Sequence, residues 1–372
     1  MLKLVGSRVQ PNMLDEHNHV CDLINVQTAV LSLYSDGKRN WIYLWCDTDN
    51  DGTNRWMLFS ASRKNLLHYL NGQITLRKVL ENSSPHLILD KTRTAVETQP
   101  DGSRHIKYRR TLTNLTDLKQ IAKYLPTSES YFDPELTEDI ELDEQLAPDL
   151  YEVPIRGVWF SEDFEALFRS YERVYALIYA TKPRFVRTIG DRLGSLLRAP
   201  WTGGFSRVHM YSQLARHLPA IHTLKIDKLK FSSPGEVKFE ALEAVGDSIQ
   251  EAVLKFVDNE EDIWRHVKST KALLTRKKLN KSDLSNTDDA GTNLLRNELK
   301  LLKDECDKIA GILGVTEEFG TLRNYSPNVV VYCKAVNSFV KQLSRLAKFQ
   351  QDAMLNLRRL PEEQFEKSEE HD

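Results

Sequence analysis

The stretch WIYLWCDTDNDGTNRWMLF, Trp41 to Phe59, carries two apolar runs on either side of a polar loop. In the first run Trp41, Tyr43 and Trp45 alternate with Ile42, Leu44 and Cys46, so both faces are apolar, as suits an interior strand covered on both sides. The second run, Arg55 to Phe59, is long enough to pair back on it. Upstream, Val26 to Tyr34 is rich in β-formers and leads into the turn Ser35-Asp36-Gly37-Lys38. The three runs predict an antiparallel meander.

Helical signals follow the meander. Ser62 is placed to cap a short helix carrying Leu66, Leu67 and Leu70 and ending at Asn71-Gly72, and Thr75 opens a second with Leu76, Val79 and Leu80. A further hairpin is predicted around Pro100-Asp101-Gly102, between Thr94 to Thr98 and His105 to Leu112. Residues 1–125 therefore read as a small α+β domain built on an antiparallel sheet.

Residues 126–158, acidic and proline-containing, read as a connector. Beyond it the apolar period becomes three and four, as in Phe164, Leu167, Phe168, Tyr171, Val174 and Tyr175, with Ser161 as the expected N-cap. Residues 159–360 are expected to form a mainly helical bundle with one β-hairpin at 221–240 around Ser233-Pro234-Gly235. The acidic tail 361–372 is expected to be disordered. Two heptad seams stand out: Leu295, Leu299, Leu302, Cys306, Ile309 and Leu313, and Val329, Tyr332, Val336, Phe339, Leu343 and Leu346. Such seams, 295–313 and 329–346, serve either the core of one chain or a contact with a protein partner or second copy.

The polar loop of the opening stretch sets Asp47, Asp49 and Asp51 before Gly52, the order that begins an EF-hand calcium loop. Position 9 of that loop is Arg55, position 12 is Leu58 rather than glutamate, and the flanks are strands. These departures favour a solvated hairpin tip, with calcium as the minority alternative. Arg55 and Trp56 remain candidates for contact with a partner. His17, His19 and Cys21, spaced by two, would share one face of a strand, but a fourth zinc ligand is missing nearby.

Two further constellations invite a nucleic-acid reading. Glu236-Val237-Lys238 with Asp227 upstream has the acids and lysine of a metal-dependent nuclease. If Ser232 to Gly235 form the turn, however, Asp227 pairs with Glu240 and stands roughly 13 Å along the ladder from Glu236. Separately, Arg184, Arg187, Arg192, Arg198, Arg207 and Arg216 are interleaved with Phe185, Trp201, Phe205 and Tyr211. That combination suits phosphate contact with base stacking, or else pairing with the acidic segment before it.

The balance of 51 Lys and Arg against 53 Asp and Glu gives a net charge of −2, so any polyanion contact needs a local patch. Cys21, Cys46, Cys306 and Cys333 stand far apart without C-x-x-C spacing, which suggests reduced thiols and a cytoplasmic location. No window approaches the roughly 18 apolar residues of a membrane span. Hydrolase elbows, Walker loops, H-E-x-x-H and G-x-G-x-x-G motifs do not occur. No cofactor is expected.

Trp45-Cys46-Asp47, then Asn54-Arg55-Trp56, then the Leu66 to Leu70 helix and the Gly72 to Arg77 segment together resemble an uncharacterised bacterial domain family. The likeness covers about the first 100 residues and implies a bacterial, cytoplasmic setting, associated with phage-defence or mobile-element loci. It assigns no catalytic residue. The expected function is a non-enzymatic interaction or regulatory protein, the alternative a nucleic-acid-binding protein using 184–217.

Overall fold

The structure is a computed structural model that describes residues 8–9, 14–26, 28–46, 52–98, 104–115, 119, 122, 124–136, 147–201, 208–231 and 235–357. The chain is α+β and divides into two compact units, residues 1–147 with 219–222, and 148–218 with 223–372.

The first unit holds a seven-stranded antiparallel sheet. Its strands are β1 (Arg8–Val9), β2 (Asn18–Val26), β3 (Thr28–Ser35), β4 (Asn40–Cys46), β5 (Thr53–Ala61), β6 (His86–Thr98) and β7 (Arg104–Leu115), in the spatial order β1-β7-β6-β5-β4-β3-β2. The meander read around Trp41 is β3 to β5, and it continues without crossover from β2 to β7, while β1 joins the far edge beside β7. Between β5 and β6 the chain makes α1 (Arg63–Leu70) and α2 (Leu76–Glu81). The side chains of Ser62 and Thr75 accept the backbone N–H groups of Asn65 and Lys78, each satisfying a donor that has no partner within its helix.

Leu66, Tyr69, Val79 and Leu80 from these helices pack on Leu31, Leu33, Ile42, Met57, Phe59 and Ile88. The opposite face carries a second cluster of Trp41, Leu58, Leu87, Leu89 and Leu112, edged by Tyr34, Tyr43 and Trp56. Ile221 joins the helix-side core, and the Ala220 N–H donates to Ser35 Oγ at 3.0 Å, which explains why 219–222 group with the sheet rather than with the expected hairpin.

The second unit contains β8 (Asp149–Ile155), α3 (Ser161–Thr181), α4 (Pro183–Arg198), α5 (Val208–His217), β9 (Lys225–Lys230), β10 (Gly235–Ala241), α6 (Glu243–Asp258), α7 (Glu260–Arg276), α8 (Arg296–Leu313), α9 (Thr316–Tyr325) and α10 (Val329–Gln351). The expected connector, 126–158, ends in a strand. Tyr151, Val153 and Ile155 are buried while Leu150 and Glu152 are exposed, a period of two that the prolines disguise; Pro154 is tolerated because β8 lies at the edge of the sheet β8-β10-β9.

The heptad seams are filled from within the chain. Leu302, Cys306, Ile309 and Leu313 of α8 and Tyr332, Val336, Phe339, Leu343 and Leu346 of α10 belong to one core, with α10 packed against α3, α6 and α8. Most of both seams is thus taken up by packing within the chain, which corrects the expectation that they serve a partner; Leu295 is exposed and Leu299 half-buried. Lys334 of α10 is fully buried, its ammonium donating to the carbonyls of Ser282 at 2.8 Å and Trp201 at 3.3 Å. Among the described residues no helix is long and apolar enough to cross a membrane. The acidic tail 361–372 lies outside the described residues.

Candidate functional site

Asp47, Asp49 and Asp51 lie outside the described residues, but their flanks are the antiparallel strands β4 and β5. Among the described residues no three of His, Cys, Asp and Glu gather as metal ligands. A register shift between His19 and Cys21 breaks the expected common face of β2: His19 is exposed beside Asp22 at 2.9 Å, Cys21 is buried, and His17 Nδ1 lies 2.6 Å from the Tyr43 hydroxyl.

Arg55 is turned toward the helix side of the sheet. Its Nε and second terminal nitrogen donate to the two carboxylate oxygens of Asp90 at 2.6 and 2.7 Å, and Nη1 donates to Tyr124 Oη at 3.1 Å. This two-pronged bond across β5 and β6 holds the guanidinium firmly in its charged form. Arg55 is a clamp rather than a free contact residue. Trp56, next in sequence, faces the other way, half-buried beside the aromatic cluster, and Trp45 opposite it is 39% exposed.

In the second unit, β10 pairs with β9 one residue away from the expected register: Glu236 opposes Lys230, Lys238 opposes Lys228, and a bulge follows before Phe239 opposes Ile226. Asp227 is the extra residue of that bulge and does not pair with Glu240. Lys228 Nζ donates to Glu236 at 2.8 Å, and Lys238 lies 3.8 Å from Glu236 and binds Glu152 of β8. The Lys228 bond holds the Glu236 carboxyl below the usual range, and the Glu152 bond holds the Lys238 ammonium above its own. Glu236 and Lys238 therefore stitch three strands together.

Of the arginine–aromatic segment, Arg192 is exposed on α4, Arg184 and Arg187 lie on the first turns of the same helix, and Arg207 falls outside the described residues. Two of its aromatics, Trp201 and Tyr211, point inward. Trp201 is 2% exposed, its backbone N–H donating to Asp283 at 3.2 Å, and Tyr211 is fully buried with its hydroxyl donating to Ser338 at 3.2 Å. Neither ring offers a face to a base.

A different surface has the properties sought there. β6 and β7 run on as a two-stranded ribbon after their neighbours stop: β5 pairs with β6 only as far as Thr92, and β1 meets β7 at Leu112 and Thr113. The ribbon leaves the sheet at Arg93, whose N–H donates to Gly52 O at 2.8 Å. Beyond that point Arg93 to Val96 and His105 to Arg110 are all exposed. Residues 91–110 contain six Lys or Arg against Glu97 and Asp101, so this is a local patch of the kind the net charge requires.

The ribbon's register sets its two faces. Lys91 opposes Arg110, Arg93 opposes Tyr108, and Val96 opposes Ile106, all on one face; Arg109 and Lys107 fall on the other. Lys91 Nζ sits 4.4 Å from the Tyr108 ring centroid. Among the described residues, Arg93, Arg109 and Arg110 have no carboxylate within ion-pair distance. Like charges placed directly opposite, as Lys91 and Arg110 are, cost stability, so folding does not account for this arrangement. The alternation R-H-I-K-Y-R-R in a strand was the available signal; its meaning depended on knowing that no third strand among the described residues covers it.

No protein-family profile, curated protein or solved structure matches the chain.

Proposed function

We propose that the protein is a non-enzymatic nucleic-acid-binding protein whose contact surface is the ribbon formed by β6 and β7. The observation that carries this reading is the set of exposed arginines, Arg93, Arg109 and Arg110, on a strand pair that has neither cover nor acidic partners for them among the described residues. Such a set attracts a polyanion, and release of the polyanion's counterions supplies the affinity. The segment 184–217 is a poorer candidate, because Trp201 and Tyr211 are core residues. The fixed ion pairs around Glu236 and Lys238 favour a binding role over cleavage.

The test is anisotropy titration of labelled DNA and RNA oligonucleotides over a range of salt. Affinity should fall steeply with salt, and the triple variant Arg93→Ala, Arg109→Ala, Arg110→Ala should flatten the log–log slope by about two to three. Absence of binding at low salt, or a triple variant with the slope of the natural protein, refutes the reading.

A further inference from the structure

We infer that the ribbon's ligand is double-stranded DNA, with the ribbon seated in a groove; this rests on the nucleic-acid reading above and narrows it. Three observations distinguish a duplex from a single strand.

Cations occupy both faces of the ribbon, Lys91, Arg93 and Arg110 on one and Lys107 and Arg109 on the other. A single strand lying on one face leaves the other face's charges unused. The two sugar-phosphate walls of a groove bracket a ribbon and meet both sets.

Stacking platforms are scarce. A sequence-tolerant single-strand site presents successive aromatic rings along its groove. Among the described ribbon residues Tyr108 is the one exposed aromatic ring besides the His105 imidazole, and one approach to Tyr108 is taken by Lys91 Nζ at 4.4 Å. Trp45 and Trp56 stay on β4 and β5 at the ribbon's root, off its length.

Dimensions and polarity also agree. Two strands about 4.8 Å apart, with side chains, fill the roughly 12 Å width of the B-form major groove, whereas the deep, narrow major groove of an RNA duplex excludes them. From the Arg93–Tyr108 pair to the Thr98–Arg104 pair the ribbon runs for about 14 to 17 Å. On it Val96 and Ile106 face each other at 40% and 37% exposure. Water-facing apolar pairs of this kind are covered when they meet sugar edges and thymine methyl groups in a groove. The bulge at Thr94, whose hydroxyl donates to Lys107 O at 3.1 Å, adds right-handed twist to the strand pair just before this pair.

The experiment compares, at one salt concentration and equal length, a DNA duplex, each of its separated strands and the matching RNA duplex, using the full chain. The DNA duplex should bind about tenfold tighter than any of the others. Arg93→Ala and Arg109→Ala, from opposite faces, should each lower the duplex salt slope by about 0.9. Val96→Ser with Ile106→Ser should weaken duplex binding several-fold while leaving the slope intact; circular dichroism melts confirm that each variant is folded. Equal or tighter binding of single strands or RNA duplex, or a slope that responds to one face alone, overturns the duplex inference and leaves the nucleic-acid reading standing. Binding to anionic lipid vesicles with none to any oligonucleotide overturns both.

Discussion

Two regions of this chain are rich in arginine, one with four aromatic residues among them and the other with Tyr108, and they meet opposite fates. In 184–217 Trp201, just after the end of α4, and Tyr211, on α5, both point into the core, and the bundle closes over them. In 91–110 the period is two, the flanking strands end early, and both sides of the ribbon face outward. Both regions are rich in Lys and Arg; what differs most is whether, among the described residues, neighbouring elements cover the side chains. Binding surfaces of this type are therefore recognised by where pairing stops rather than by which residues are present.

The contrast is sharpest at the rings. Trp201→Ala removes a buried indole from the bundle core while leaving the backbone contacts to Asp283 and Lys334 in place, and should cost about 3 to 5 kcal/mol in urea unfolding. Tyr108→Ala should cost less than about 0.5 kcal/mol, since the ring is 45% exposed. Comparable losses at the two positions would mean that the ribbon is packed, and the distinction between the regions would collapse.

Arginines divide in the same way within the first unit. Arg55→Ala leaves the Asp90 carboxylate without its two-pronged partner on a side chain only 23% exposed, and should lower stability by about 2 kcal/mol with little change in nucleic-acid affinity. Arg93→Ala should do the reverse. Thermal melts and anisotropy on the same two preparations check both halves of the expectation.

Much of the fold was legible before the structure. The alternation at Trp41 to Cys46, the cap residues Ser62 and Thr75, and the heptad spacing of α8 and α10 are local signals, and each element formed where its signal stood. Long-range pairing was not legible. The β9–β10 register turned on a bulge at Asp227, β8 was masked by Pro154, and the fate of the heptads depended on α3 and α6 arriving to fill them. Arg55 and Trp56 were singled out together, yet successive residues of a strand face opposite ways, and only Trp56 shares the outer face. The ribbon's hairpin was readable, but its exposure follows from where β1 and β5 end, which no local pattern encodes.

An inward-facing charge cluster should also declare itself by pH. Burial favours the neutral form of Glu305, but hydrogen bonds from His266 at 2.8 Å and Lys308 at 3.0 Å outweigh it and hold the carboxyl below the usual range. A carboxyl depressed on folding contributes stability that is complete above the unfolded glutamate's pKa of about 4.3 and fades as pH falls through the lower folded value. Glu305→Gln should therefore be less stable by about 1.5 kcal/mol at neutral pH. That gap should close in strong acid; a gap independent of pH would show that the carboxylate's charge is not what stabilises α8 against α7.

The smallest effect expected carries the opposite sign. Arg110 stands directly across from Lys91, exposed, with no carboxylate partner among the described residues, and the pair repels across the strands. Arg110→Thr removes the repulsion and substitutes a residue that suits a strand, so the protein should gain about 0.2 to 0.5 kcal/mol. The same substitution removes one phosphate-contacting cation, so nucleic-acid binding should weaken and its salt slope should fall by about 0.9. A residue whose loss improves the fold while impairing the contact is retained for the contact. If Arg110→Thr instead destabilises the protein, Arg110 is held by the structure, and the ribbon belongs with the inward-turned region rather than against it.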